Sequence, residues 1–195
     1  MSQRLENLLG ALVVALGDEL GAELETAAGR PGATAAALAV LAQEPGLGIE
    51  QLKLPLRRTQ SATVRVVDQL VAEGYAERQP GRDRRSVSVV LTDTGTAAAA
   101  GLLDQRYQVL RDALAVLDAG ERATLTATLE KMLGAITEDF IHSEQICRLC
   151  DIQACPAPHC PVGQAAGDAP DENWPAARPI PGRFRHDADA AATHG

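Results

Sequence analysis

The spacing of the apolar residues changes at Gly74, and this change restricts the fold more than any other feature of the sequence. Before Gly74, apolar residues recur at steps of three and four, which is typical of amphipathic helices. After it, residues 75–79 and 86–91 form the pattern of two short strands joined by a turn at 80–83, and the helical spacing returns from Thr92. The sequence therefore predicts a mainly α fold with one small β-hairpin.

Six helices are predicted around this hairpin, separated by glycine and proline, and several of them begin at threonine, serine or aspartate. The expected helices are 4–27, 34–43, 49–56 (kinked or ended by Pro55), one from Thr59 or Ser61 to Val71, one from Thr92 or Thr94 to about Leu117, and one from Asp118 to about Phe140. Aromatic residues make up only 3% of the 195 residues, so leucine, valine and alanine must fill the core.

Charge is divided unevenly along the chain. The formal net charge of −8 by itself disfavours a nucleic-acid-binding protein. Residues 57–88, however, contain seven basic and four acidic residues (+3), whereas the remainder contains 11 basic and 22 acidic residues (−11). A local basic segment on an acidic body is the electrostatic pattern expected of a DNA-binding domain.

The order of the elements indicates a winged helix-turn-helix. A helix that begins near Thr59, Gln60 and Ser61 offers short polar side chains and Arg65 to the major groove, where base edges carry a unique pattern of donors and acceptors. The hairpin that follows has several arginines at its turn, and a guanidinium is favoured in a narrow minor groove.

Two segments carry a resemblance to a known family. Residues 70–95 (LVAEGYAERQPGRDRRSVSVVLTDTG) resemble the wing of the MarR family, multiple antibiotic resistance regulators, in which an L-x-x-x-G-x-x-x-R helix end leads into a D-x-R-(S)-x-x-V-x-L-T-x-x-G hairpin and helix start. Residues 54–70 (LPLRRTQSATVRVVDQL) resemble the recognition helix of that family. The resemblance covers roughly residues 4–140.

The resemblance implies a homodimer in which the first and last helices intertwine, with two recognition helices set for a pseudo-palindromic operator. It also implies repression of transcription that a ligand, a metal or an oxidant relieves. By position, Arg84 corresponds to the minor-groove arginine and Asp83 to its orienting partner. The complete expected DNA-binding set is Thr59, Gln60, Ser61, Thr63, Arg65, Arg82, Asp83, Arg84 and Arg85.

All four cysteines of the chain lie within fourteen residues, with the spacing C-x2-C-x4-C-x4-C: Cys147, Cys150, Cys155 and Cys160. Four clustered thiols predict a tetrahedral thiolate metal site, and Zn2+ is the first expectation. An iron–sulfur cluster bound by the same four residues and a reversible disulfide between Cys147 and Cys150 remain open alternatives. His142 and His159 are possible substitute ligands.

We expect three regions: a winged helix-turn-helix domain with dimerisation helices (1–140), a cysteine segment (141–163) and a disordered tail (164–195) rich in Pro, Gly, Ala and Asp. A metal at the cysteines is expected to alter the angle between the two recognition helices.

The sequence shows no membrane span or signal peptide, so a cytoplasmic protein without membrane association is expected. We do not expect an enzyme, because no phosphate-binding loop or catalytic triad pattern is present. The competing functions are a thiol- or iron–sulfur-dependent oxidoreductase and a winged-helix module that binds protein rather than DNA.

Overall fold

Helices supply most of the described structure, and one hairpin interrupts them. The computed structural model describes residues 3–28, 32–81, 87–152, 154–155 and 159–167. The elements are α1 (Gln3–Ala28), α2 (Gly32–Gln43), α3 (Ile49–Leu52), α4 (Gln60–Ala72), β1 (Ala76–Pro80), β2 (Val87–Leu91), α5 (Asp93–Leu114), α6 (Ala119–Ile136), α7 (Phe140–Cys147) and α8 (Pro161–Ala165). The mainly α fold with a single hairpin is thereby confirmed. None of the described helices is long and apolar enough to cross a membrane.

Three helices begin at side-chain caps that the sequence indicated. The Thr59 hydroxyl accepts a hydrogen bond from the Ala62 backbone N–H, and the Thr92 hydroxyl does the same for Gly95. Asp118 forms a reciprocal capping box with Glu121 at the start of α6. Each cap satisfies a backbone donor that the first turn of a helix leaves unpaired.

The hairpin belongs to a small antiparallel sheet. β1 pairs with β2 from Ala76 opposite Leu91 to Pro80 opposite Val87. A third short segment joins at the other edge of β2, where the Val89 N–H donates to Leu47 O at 2.9 Å and Gly46 N–H donates to Val89 O at 3.0 Å. This extra pairing fixes the hairpin against the helices that precede it.

The start of α5 is held closely against the residue that enters the hairpin. A Cβ atom on Gly95 would lie 1.9 Å from the carbonyl oxygen of Tyr75, so only glycine fits there. The Thr92 hydroxyl also donates to Gly74 O at 2.6 Å, and the Thr92 N–H donates to Tyr75 O at 3.0 Å. The glycine that ends the T-x-x-G pattern is therefore a packing requirement.

The core lies around α2, which is buried along most of its length. Its small residues allow neighbouring helices to approach closely, as Ala35, Ala37 and Ala39 are fully buried. Larger apolar side chains from α2 itself and from the surrounding elements complete the core: Leu38, Leu41, Leu52, Val67, Leu70, Val89 and Leu102. As expected from the scarcity of aromatic residues, aliphatic side chains form this core.

Two helix ends lie about four residues before their expected positions. α3 ends at Leu52, and turns continue to Arg57, because the residue before Pro55 disfavours helical geometry. The last long helix ends at Ile136 rather than near Phe140, since Thr137 is extended (ψ 117°). Phe140 instead begins α7, which Asp139 caps by accepting from the His142 N–H at 2.7 Å.

The cysteine region also contains an element that was not expected. Pro161 opens the short helix α8, and the fixed φ of proline suits the first position of a helix. α8 extends two residues past the expected tail boundary at 163. Residues 168–195 of the expected tail lie outside the described residues.

Candidate nucleic-acid interface and cysteine cluster

The outer face of α4 begins with a polar group of side chains. Gln60, Ser61 and Arg65 are exposed, in the positions that the sequence predicted for contacts with DNA. Thr59 is exposed too, but its hydroxyl caps the helix and lies 3.2 Å from the Ser61 hydroxyl. Its first role is therefore to set the start of the helix.

Thr63 does not belong to this outer face. Its side chain is fully buried, and its hydroxyl donates to Thr59 O at 3.0 Å. Thr63 shares the inner face of α4 with Val67 and Leu70, because residues four and seven positions further along lie on one side of a helix. The prediction that Thr63 faces the major groove is wrong.

Two exposed arginines immediately before α4 extend the polar face. Arg57 and Arg58 belong to the basic segment 57–88 but were not among the predicted DNA contacts, and both are exposed at the helix start. Arg57 has a positive φ of 52°, which is uncommon outside glycine and places this residue at a sharp reversal of the chain. The two adjacent arginines directly before the predicted helix start were the sequence signal that could have placed them in the site.

An ion pair joins the hairpin to α4. The Arg78 guanidinium on β1 donates to Asp68 of α4 at 2.7 Å. This partly exposed contact links β1 to α4 and occupies one basic group of the segment. Arg82, Asp83, Arg84 and Arg85, the expected wing contacts, lie outside the described residues, and their roles stay predictions.

Several proteins share this arrangement. A transcriptional regulator of the MarR family from Silicibacter pomeroyi is 32% identical, with 68% of this chain and 92% of that chain covered and a TM-score of 0.54. The chain belongs to the MarR family. No family model matches it.

Two further proteins resemble the chain, one in fold and one in sequence over part of its length. A MarR family protein from Bacillus stearothermophilus is 24% identical and shares the fold, with a TM-score of 0.61 over 70% of this chain and 99% of that chain. The uncharacterized HTH-type transcriptional regulator YwhA from Bacillus subtilis is 33% identical over 73 residues, or 37% of this chain. That match spans 52%, about half, of YwhA.

The cysteine cluster of this MarR-family chain (Cys147, Cys150, Cys155 and Cys160) forms where α7 ends and α8 begins. Cys147 is the last residue of α7, and the Cys150 N–H donates to its carbonyl oxygen at 2.9 Å. Cys160 is buried and immediately precedes α8, whereas Cys155 is exposed. All four are thiols rather than disulfides.

The thiols of the cysteine cluster are neighbours. Hydrogen bonds with Cys150 and Cys160, together with burial, raise the pKa of Cys147. The pKa of Cys160 is lowered, chiefly because the Cys147 thiol donates to it and secondarily because the Gly163 and Val162 N–H groups do. Burial, and then the negative charge of Cys160, raise the pKa of Cys155 to about 11. The fold thus brings all four predicted ligands together.

These thiols do not form a finished metal site. Among the residues that the structure describes, no group of three or more His, Cys, Asp or Glu side chains is arranged to hold a metal ion. Four sulfurs bound to Zn2+ at about 2.3 Å lie about 3.8 Å apart in a tetrahedron, which is close to the separation of hydrogen-bonded thiols. Because the separations are already similar but the thiols are not arranged to hold a metal, binding of Zn2+ requires them to reorient rather than to move far.

Neither candidate histidine lies in this group of thiols. The Glu138 N–H donates to Nδ1 of His142 at 3.3 Å, so that ring nitrogen is engaged at the start of α7. His159 is exposed beside Cys160. Their role as substitute ligands stays a prediction.

Proposed function

We propose that this chain is a sequence-specific DNA-binding regulator that represses transcription as a homodimer on a pseudo-palindromic operator. The observation that carries the proposal is the outer face of α4, where Gln60, Ser61 and Arg65 are exposed beside Arg57 and Arg58. An exposed polar helix start flanked by arginines is suited to base edges and phosphates. Membership of the MarR family, whose solved relatives include transcriptional regulators, supports the same function.

The homodimer is supported by apolar surface on the two long helices α1 and α6. Leu5, Val13 and Val14 of α1 are 62–66% exposed. α6 has no buried residue, and its apolar Ile136 is 55% exposed. Burial of one such side chain contributes about 1.5–3 kcal/mol. A second copy of the chain would cover both helices, in the way the family resemblance implies.

We further propose that the cysteine cluster binds one Zn2+ and thereby modulates operator affinity. Four thiolates satisfy the tetrahedral preference of Zn2+ and leave no open position, which suits a structural or regulatory site. An iron–sulfur cluster would use the same four ligands, so metal analysis and the absorption spectrum must separate the two.

The DNA-binding proposal is tested by selection from a pool of random-sequence duplexes with the purified full-length chain. We expect enrichment of an inverted repeat whose half-sites are about one helical turn, roughly 34 Å, apart. Arg65→Ala is expected to enrich this motif more weakly than wild type, while Thr63→Val, a change on the buried face, is expected to enrich it as wild type does. Absence of any enriched motif with wild-type protein would contradict the proposal.

The metal proposal is tested by elemental analysis of protein purified without air. One zinc per chain, lost when all four cysteines are replaced by serine, is the expected result. Iron and sulfide with visible absorption would instead identify an iron–sulfur cluster. Wild-type protein that contains no metal after incubation with Zn2+ under reducing conditions would contradict a metal site.

A further inference from the structure

The side chain of Gln43, the last residue of α2, binds the backbone of the cysteine segment. Its Nε2 donates to Cys150 O at 2.6 Å and to Ala39 O at 3.1 Å, while its Oε1 accepts from the Ile152 N–H at 2.7 Å. Because a backbone carbonyl only accepts and a backbone N–H only donates, these partners fix the orientation of the amide. One side chain thus pairs with both backbone groups that flank Asp151.

Two further contacts attach the cysteine segment to α2, α4 and α5. Leu149 packs against the core formed by α2, α4 and α5. The Tyr107 hydroxyl on α5 donates to Asp151 at 3.1 Å. Residues 149–152, which include the ligand candidate Cys150, are therefore attached to α2 and α5 in three ways. These are the apolar contact of Leu149, the hydrogen bonds of the Gln43 amide to Cys150 O and Ile152 N–H (the amide clamp), and the hydrogen bond of the Tyr107 hydroxyl.

The other side of the cysteine cluster contacts α6. α8, which begins directly after Cys160, packs along α6, and a Cβ on Gly134 of α6 would lie 3.7 Å from Pro161 O. Glu130 of α6 is close enough for its charge to act on Cys155. Within the described parts of the chain, α8 is the main neighbour of α6.

The cysteine cluster is consequently a joint between α6 and the DNA-binding body (α2, α3, α4, the hairpin and α5), in addition to the short chain segment that links α5 to α6. Cys150 is attached to α2 by the Gln43 amide, whereas Cys160 directly precedes α8, which packs on α6. A rearrangement of the thiols around a metal would therefore act on both attachments. α2 and α4 share one packed core, so α4 follows a displacement of α2.

We propose that Gln43 is a positioning residue that couples Zn2+ occupancy of the cysteine cluster to the placement of α4 relative to α6. This inference rests on the proposed function and names its regulation. Zn2+ fixes the joint, so less conformational freedom is lost when two recognition helices meet an operator, and operator affinity rises. By linkage, operator DNA raises Zn2+ affinity by the same factor.

The experiment measures operator affinity of full-length protein, reduced and either Zn2+-loaded or metal-free, on the duplex enriched by the selection. We expect Zn2+ to tighten binding by about fivefold or more in wild type. Gln43→Met removes the hydrogen bonds to Cys150 O and from the Ile152 N–H without adding charge. It is expected to bring the ratio of the two affinities close to one while one zinc per chain and metal-free operator affinity are retained.

A matched control and a second variant keep the result interpretable. Gln105→Met makes the same change at an exposed position of α5 and should keep the wild-type ratio. Tyr107→Phe removes the neighbouring hydroxyl and should reduce the ratio, which provides a test if Gln43→Met fails to fold. Co2+ substitution reports through its thiolate absorption whether all four ligands remain bound.

Several outcomes would overturn the inference. A wild-type ratio in Gln43→Met, an equal weakening of both affinities, or loss of metal binding in that variant would show a merely structural role. A wild-type protein that binds the duplex equally well with and without Zn2+ would also overturn it, while leaving DNA binding intact. Failure to enrich any duplex would instead refute the proposed function itself.

Discussion

At the scale of single residues, Gly95 has the sharpest requirement, and a matched pair of substitutions tests it. Gly95→Ala would place a Cβ 1.9 Å from Tyr75 O, whereas a Cβ on Gly101 of the same helix meets nothing within 4 Å. We expect Gly95→Ala to lower the free energy of unfolding by about 3 kcal/mol or more, or to prevent folding. Gly101→Ala should raise it by about 0.5–1 kcal/mol. Denaturant unfolding measures both, and equal effects would contradict the close packing of α5 on the hairpin.

Arg65 and Thr63 differ by only two positions but lie on opposite faces of α4. Arg65→Ala removes an exposed charge and is expected to weaken operator binding by about 1–3 kcal/mol with little change in stability. Thr63→Val removes the buried hydrogen bond to Thr59 O and should cost about 1 kcal/mol of stability with unchanged DNA specificity. Thermal unfolding together with fluorescence anisotropy separates the two effects, and a specificity change in Thr63→Val would contradict the assignment.

At this scale, the sequence did not predict which polar residues of α4 are exposed and which are buried. Thr59, Gln60 and Ser61 were correctly placed at an exposed helix start, because caps and polar residues identify such positions. Thr63 has the same composition signal, yet its hydroxyl satisfies a backbone carbonyl and its side chain fills the core. Residue type alone does not distinguish a threonine that contacts solvent from one that bonds its own helix.

At the scale of elements, substitutions in α6 test the proposed homodimer. Ile136→Glu places a charge in the apolar stripe of α6, where Leu129 and Met132 are also exposed, and is expected to give a monomer. Ala127→Glu adds the same charge at an exposed position nine residues earlier, on the opposite side of the helix, and should stay dimeric. Light scattering after size-exclusion chromatography measures the mass. A dimer in Ile136→Glu would show that this part of α6 does not pair.

The elements that sequence reasoning found are those with strong periodic patterns and side-chain caps. The hairpin and the helices α1, α2, α4 and α5 lie within a few residues of their expected bounds. α7 and α8 were missed because each is shorter than three turns and has no apolar period of its own. The Asp139 cap and Pro161 were the available signals for their start points.

At the scale of the whole molecule, the Zn2+ proposed for the cysteine cluster would connect α6 to the unit formed by α2, α4 and α5. Chelation of Zn2+ from reduced protein is expected to lower the melting temperature, because a metal that binds only the folded chain stabilises it by mass action. Replacement of all four cysteines by serine should abolish this dependence. Differential scanning calorimetry with and without chelator provides the measurement, and equal melting temperatures in wild type would contradict metal binding by the folded chain.

The spacing of the cysteines predicted that they would lie together, since four residues within fourteen cannot lie far apart. The sequence did not show that residues 149–152 would dock on α2 and α5. The Gln43 amide and the Ile152 N–H are 109 residues apart, and Tyr107 and Asp151 are 44 apart. Contacts at such separations depend on the complete fold, and no local pattern encodes them.

Operator binding across a range of salt concentrations tests the central claim most directly. Fluorescence anisotropy of the selected duplex should give an affinity that falls linearly with the logarithm of salt concentration, as expected when basic side chains displace counterions from phosphates. If Arg65 contacts a phosphate, the slope in Arg65→Ala should be smaller by about one. A scrambled duplex should bind far more weakly. Equal affinity for selected and scrambled duplexes, or no salt dependence with either, would contradict recognition of DNA by α4.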